Sequence, residues 1–304
     1  MEKDLRILRY EAAANILPYR LRKAALTLPQ GEQAEAEELR LRSGRKMTVL
    51  LPCGEMPLDA VVEAEELETL CDLATEFSRY AAVETLREGF IPVRGGFRVG
   101  MCGTAVMKDG INTNLKNFSS AVIRIAGERK GIAEEIAEQL FCAAIFADTL
   151  ILSPPGGGKT TFLRDLVRCL STGGKTFPPQ RVSLIDERGE VAVCCQGVPQ
   201  MDIGPYTDVL DACPKAIGIP MMLRAMNPQI IAVDEITAPE DLQAFSMAAG
   251  CGVGLLATVH AADLEDMRRK PLYRKLLEEQ IFRYVVRIVC GEDGRQYKLE
   301  ELRC

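Results

Sequence analysis

The 304-residue chain has no tryptophan, a single histidine at His260, and only 6% aromatic residues. A protein that holds single-stranded nucleic acid needs aromatic platforms for base stacking beside a cationic groove. The chain is poor in the first and, with a net charge of −6, lacks the broad basic surface that duplex binding requires. Both shortages argue against a nucleic-acid motor. The eleven cysteines contain no C-x-x-C pair, so a zinc cluster is not expected, and free thiols in a reducing cytosol are the better reading. No apolar run reaches the length of a bilayer span; the longest, Phe141 to Ala147 and Met247 to Val259, are short or interrupted by glycine. The N-terminus, Met1 to Arg6, has no apolar region of the kind a cleaved signal carries. The expectation is a cytoplasmic protein, peripheral at a membrane through its partners.

What is present is 47% hydrophobic content, ample for packed cores, on a length that suggests two domains. One stretch organises the rest. The apolar run Leu150-Ile151-Leu152 breaks into Ser153-Pro154-Pro155-Gly156-Gly157-Gly158, and Lys159-Thr160-Thr161 then opens an amphipathic helix with Leu163, Leu166 and Leu170 on one face. That is strand, phosphate loop, helix, with the spacing of a Walker A motif. Successive glycines let backbone N–H groups curl around a phosphate, and the helix N-terminus adds its positive dipole end. Residues Pro155 to Thr161 are therefore the expected nucleotide-binding set for ATP. Lys159 would reach the β and γ phosphates, and the Thr160 hydroxyl would hold Mg2+.

Before this loop, Tyr10 to Leu28 reads as amphipathic helix broken at Pro18, and two short strands fit Glu37 to Arg42 and Met47 to Leu51. Ala64 to Arg79 has helical spacing, with Leu67, Leu70, Leu73 and Phe77 expected in a core. Gly89 to Gly100 predicts a hairpin, and Val122 to Ile125 another strand. These compose an α+β domain over residues 1–130, closed by the polar linker Ala126 to Gly131. Residues 131–304 begin with a helix, Ile132 to Cys142. They then alternate helices with the apolar runs Val182 to Ile185, Ile230 to Val233 and Val253 to Thr258, ending in a hairpin from Ile281 to Leu299. Near-continuous apolar strands between helices predict an α/β domain on a parallel sheet buried on both faces.

Ligands in such sheets sit at the carboxyl ends of the strands. Asp234-Glu235 follows Ile230 to Val233, the Walker B pattern: Asp234 would accept from the magnesium water shell, and Glu235 would align and deprotonate an attacking water. Asp186-Glu187-Arg188-Gly189-Glu190 follows Val182 to Ile185, a further carboxylate cluster facing the same pocket if its strand neighbours the phosphate-loop strand. It would hold a magnesium-bound water or support Glu235. His260 ends the run Val253 to Thr258, where a neutral imidazole can sense the phosphate or the water.

The order of these boxes resembles the type II and type IV secretion ATPase superfamily: the phosphate loop, then Ile185-Asp186-Glu187-Arg188, Asp234-Glu235, and Thr258-Val259-His260-Ala261. Val99 to Val106, Ile123-Arg124-Ile125-Ala126 and Asp211-Ala212-Cys213-Pro214-Lys215-Ala216 narrow the likeness to the stage III sporulation protein AA family, from about Leu39 onward. The resemblance implies a RecA-like P-loop domain preceded by a smaller α+β domain. It further implies a cytoplasmic ATPase, a homo-oligomer in the form of a hexameric ring, and membrane-embedded channel proteins as partners between mother cell and forespore. Arg98 and Arg124 match the segments whose arginines reach the γ-phosphate in the superfamily; the alternative is that they pair locally with carboxylates. Three positions depart from the pattern: Ser153 replaces the usual first glycine, Phe97 stands where the hairpin would carry histidine, and Asp234 replaces a glycine common in secretion ATPases. Two other classes share such a core, a nucleic-acid-dependent motor and a nucleotide-gated scaffold with little turnover.

Overall fold

The computed structural model describes residues 2–80, 82–125, 129–291 and 294–302, and the chain divides into two compact units, Met1–Gly127 and Glu128–Cys304. The expected linker falls partly on residues 126–128, outside the described residues.

The first unit is built on a six-stranded antiparallel sheet in the order Gly54–Val61, Lys46–Leu51, Glu38–Arg42, Ile111–Arg124, Phe97–Lys108, Phe90–Val93. Alternation buries one side of it, with Leu39, Leu41, Met47 and Val49 inward, and helices Glu2–Ala14, Tyr19–Ala25 and Ala64–Ala74 cover that side with Tyr10, Leu21, Leu67 and Leu70. Pro18 does interrupt the first helical stretch, standing as the cap of Tyr19–Ala25. The helix begun at Ala64 is shorter than its spacing suggests. It ends at Ala74, its buried stripe is Leu67, Leu70, Cys71 and Ala74, and Glu76 and Phe77 turn into left-handed backbone. Leu73 and Phe77 are consequently exposed, not core. The predicted strand Val122 to Ile125 is the end of a 14-residue strand, Ile111–Arg124, whose distal half projects with its partner into solvent.

The second unit holds a seven-stranded sheet in the order Thr207–Asp211, Val182–Asp186, Ile230–Val233, Gly254–His260, Thr149–Ser153, Tyr284–Gly291, Gly294–Glu301. The first six run parallel and the last pairs antiparallel as the closing hairpin. The strands Thr149–Ser153, Val182–Asp186 and Ile230–Val233 are buried throughout, as a sheet packed on both faces demands. Phe162, Leu163 and Leu166 of helix Lys159–Thr172 pack on one face; Phe245, Leu242 and Ile219 of helices Pro239–Gly250 and Lys215–Met226 pack on the other. The helix expected from Ile132 is only Glu134–Gln139, followed by a two-stranded turn, Phe141–Cys142 with Ile145–Phe146. Among the described residues no helix is long and apolar enough to cross a membrane.

Candidate functional site

Parallel strands bring their carboxyl ends to one side of the second unit. Thr149–Ser153 runs into the glycine loop, and the neighbouring strand is in register so that His260 stands opposite Ser153. The next strand, Ile230–Val233, delivers Asp234 and Glu235. A cleft of about 360 Å³ opens there, lined by loop and first-turn residues Pro155, Gly156, Gly158, Lys159, Thr160 and Thr161 and, facing them, by Arg188, Glu190, Asp234, Glu235, Thr258, His260 and Arg295.

Two of the loop glycines are required for different reasons. Gly158, the cap of helix Lys159–Thr172, has φ +98°, a value L side chains avoid. At Gly157 a Cβ would lie 1.7 Å from the Ser153 Oγ and, with that hydroxyl turned aside, still 3.0 Å from the Ser153 Cβ and 3.1 Å from the Pro154 carbonyl oxygen. Ser153 itself sits in extended strand backbone, where an L-residue is at ease, and its hydroxyl donates to the Pro154 carbonyl at 3.0 Å. The departure from glycine at this position therefore costs the loop no backbone strain.

Lys159 is buried, and its ammonium donates to the carbonyls of Ser153 (3.0 Å) and Pro154 (3.3 Å). Burial pulls its pKa down to about 8 against the opposing attraction of Glu235. The ammonium, the first-turn N–H groups and the hydroxyls of Thr160 and Thr161 form a cradle suited to an anion.

Glu235 is held from two sides. Its Oε1 lies 2.7 Å from His260 Nδ1 and its Oε2 3.6 Å from Arg188 Nη1, and its side chain is only 12% exposed. Burial, and then the Lys159 charge, lowers the His260 pKa, so the imidazole is neutral at pH 7 and Nδ1–H donates to the carboxylate. One nitrogen of the expected phosphate sensor is thus committed to Glu235.

Asp234 is engaged as well. Its Oδ1 accepts from the Glu235 N–H (2.6 Å) and lies 3.1 Å from Lys215 Nζ, while its Oδ2 accepts from the Arg188 N–H at 3.3 Å. The Asp234 carbonyl takes the Thr258 hydroxyl. With both carboxylate oxygens already bonded, Asp234 fits a contact to a metal's water shell better than direct ligation, and Thr160 is the hydroxyl in the cleft suited to Mg2+ itself.

The Asp186–Glu190 segment faces the cleft only in part: Arg188 and Glu190 line it, while Asp186 and Glu187 are engaged elsewhere. Strands Ile230–Val233 and Gly254–His260 both intervene between Val182–Asp186 and the loop strand. Asp186 is fully buried and accepts from the N–H groups of Glu190 (3.0 Å), Val191 (3.0 Å) and Ala192 (2.8 Å), and burial raises its carboxyl to about 6. Glu187 bonds Lys215. The segment reaches Glu235 through the Arg188 guanidinium, with Asp186 as the anchor of its turn.

In the first unit Arg98 and Arg124 stand directly opposite each other on adjacent strands. Like charges in such a pair repel. Each has a local partner that offsets this: the Arg98 guanidinium lies 3.7 Å from the centre of the Phe90 ring, and Arg124 Nε lies 3.6 Å from Glu38 Oε1. Phe97 is buried in the core of the same sheet.

Sequence reasoning missed Lys215 and Arg295. Lys215 is the first residue of helix Lys215–Met226, where the dipole disfavours a cation, and that misfit is the signal that carboxylates hold it. For Arg295 the available signal was the alternation Arg295-Tyr297-Leu299 in the closing hairpin.

The family model described as sporulation stage III, protein AA matches residues 8–302. Stage III sporulation protein AA of Bacillus subtilis (strain 168) is 37% identical over 269 residues, covering 88% of this chain and 87% of that protein. Among solved structures, the Legionella pneumophila ATPase DotB aligns with a TM-score of 0.60 at 18% identity over 90% of this chain and 79% of its own. The pilus retraction motor PilT with bound ADP aligns at 0.58 and 15% identity over 88% of this chain and 80% of its own. At those identities the likeness concerns the fold, a RecA-like α/β unit preceded by a smaller one. The match over nearly the whole length, together with the close curated relative, places this chain in the stage III sporulation protein AA family.

Proposed function

We propose that the protein is an ATP-hydrolysing motor of the secretion type, working as a homo-oligomeric ring, a hexamer, beneath membrane-embedded channel proteins of a sporulation complex. The observation that carries ATP hydrolysis is the convergence, at one loop, of a buried lysine, a helix N-terminus and a carboxylate pinned by a neutral histidine; the ring and the channel partners rest on the family alone. Pro155 to Thr161 hold the phosphates through backbone N–H groups and Lys159. Thr160 would hold Mg2+ and Asp234 would reach its water shell; the ion would neutralise phosphate charge when bound. Glu235 takes the proton of the attacking water, and His260 keeps its carboxylate oriented, a positioning role that departs from phosphate sensing. Arg188 steadies the other Glu235 oxygen from the Asp186–Glu190 segment, while Glu187 acts at a distance through Lys215 and Asp234. Arg98 and Arg124, opposite each other in the first unit, would supply cationic charge to the transferred phosphoryl across a subunit boundary of the ring, each leaving its local partner, Phe90 or Glu38, to do so.

The test is ATP hydrolysis against protein concentration, with mass by light scattering, for wild type and Glu235→Gln. Turnover should rise as an oligomer forms and vanish in the variant. Equal turnover in both proteins removes Glu235 from its role. Tight nucleotide binding without turnover at any concentration favours the scaffold, and strong stimulation by DNA or RNA favours the nucleic-acid motor.

A further inference from the structure

The closing hairpin does more than finish the sheet. Its inner strand, Tyr284–Gly291, pairs in parallel with the loop strand on the edge opposite the His260 strand. Its outer strand, Gly294–Glu301, sends Tyr297 and Leu299 onto the face covered by helix Lys159–Thr172, where the Tyr297 ring stacks on Phe162 at 4.6 Å. Residues two apart on a strand share a face, so the same face presents Arg295 to the start of that helix. Its side chain crosses the loop there: Nε would be 3.0 Å, and the guanidinium carbon 3.2 Å, from a Cβ built on Gly158. Nη2 reaches the Gly156 carbonyl only at 3.5 Å. A guanidinium parked beside a phosphate cradle on a long bond to a neutral carbonyl will exchange it for a phosphate oxygen, which accepts a shorter and stronger charge-assisted bond.

We propose that Arg295 is a phosphate-binding residue of this site, contributed by the closing hairpin of the same chain. This rests on the nucleotide-binding reading above. Arg295 enters the cleft from the sheet edge opposite the His260 strand and touches the loop backbone at Gly156 and Gly158, the part of such a loop that cradles phosphates present in both ATP and ADP, so it serves binding more than the chemical step. It also ties nucleotide occupancy to the hairpin through the Tyr297–Phe162 stack.

The experiment is titration of full-length protein with fluorescent ATP and ADP analogues, for wild type, Lys159→Ala, Arg295→Ala and Arg295→Lys, with thermal melts as a folding control and ATP turnover measured across substrate concentration. Arg295→Ala should weaken both nucleotides by about 10-fold or more, the scale of one hydrogen bond to a charged group. It should lose more in affinity than in saturating turnover, and Arg295→Lys should recover part of the loss. Unchanged or tighter binding by Arg295→Ala, or a loss confined to saturating turnover, overturns the assignment. Failure of the wild type to bind either nucleotide overturns the underlying reading and this inference with it, an outcome distinct from normal wild-type binding with a silent Arg295.

Discussion

Replacing Lys215 with methionine keeps the unbranched stem of the side chain and removes only its terminal ammonium and charge. Lys215 is 2% exposed, and burial by itself would depress its ammonium, yet Asp234 and Glu187 together hold the pKa above the ordinary lysine value. The variant strands Asp234, whose carboxylate is 9% exposed, opposite an apolar tip. Removing one member of a buried ion pair costs about 3–5 kcal/mol. Asp234 keeps its bonds from the Glu235 and Arg188 N–H groups, which places the cost at the lower end of that range, and Glu187, 37% exposed, adds little once solvent screening is counted. For a unit the size of Glu128–Cys304, a loss of about 3 kcal/mol lowers the melting temperature by about 6–12 °C. Calorimetry on Lys215→Met, Asp234→Asn and the double variant measures it. The double variant should be more stable than the sum of the single losses implies, because neutralising Asp234 removes the stranded charge. A melting shift below about 2 °C for Lys215→Met, or simple additivity in the cycle, would refute the claim that Lys215 holds Asp234.

Two further outcomes follow from the same cleft. Lys159 titrates near 8 without ligand, and a bound phosphate favours its charged form, so nucleotide affinity should be flat below that value and fall as pH rises through about 8. Calorimetric titrations in buffers of different ionisation enthalpy should then record proton uptake on binding above pH 8, and an affinity independent of pH between 7 and 9 contradicts the assignment. At His260, asparagine imitates Nδ1 and glutamine imitates Nε2. If the ring acts by donating to Glu235, His260→Asn should retain more turnover than His260→Gln, with nucleotide affinity near wild type in both; the reverse order would return His260 to direct phosphate sensing.

Legibility followed how locally each feature is encoded. The apolar run, the glycines and the Lys-Thr pair specify strand, loop and helix within one contiguous segment, and the structure has them in that order. The long antiparallel arm was visible only at its base, in the hairpin ending at Gly100 and in the strand near Val122. Its distal residues, such as Lys108, Asn112 and Lys116, carry no apolar alternation because both faces meet solvent there. Leu73 and Phe77 fit a helical stripe, but the chain turns at Thr75 before a further turn of helix could bury them. Thr207–Asp211 escaped notice as an edge strand of mixed polarity.

Residue order alone settled where the loop lies, which strands end in carboxylates or histidine, and that the second half is an α/β unit, because backbone conformation at glycine and apolar runs of strand length are properties of neighbours in the chain. Strand order was decided in three dimensions, and strand order distributes the charges. It set His260 against Glu235, moved Glu187 to Lys215, and brought Arg295 across 139 residues to the rim of the loop. Pairing of parallel strands joins segments that are remote in sequence, and the energy selecting one order over another is spread across both buried faces of the sheet, so no single segment displays it.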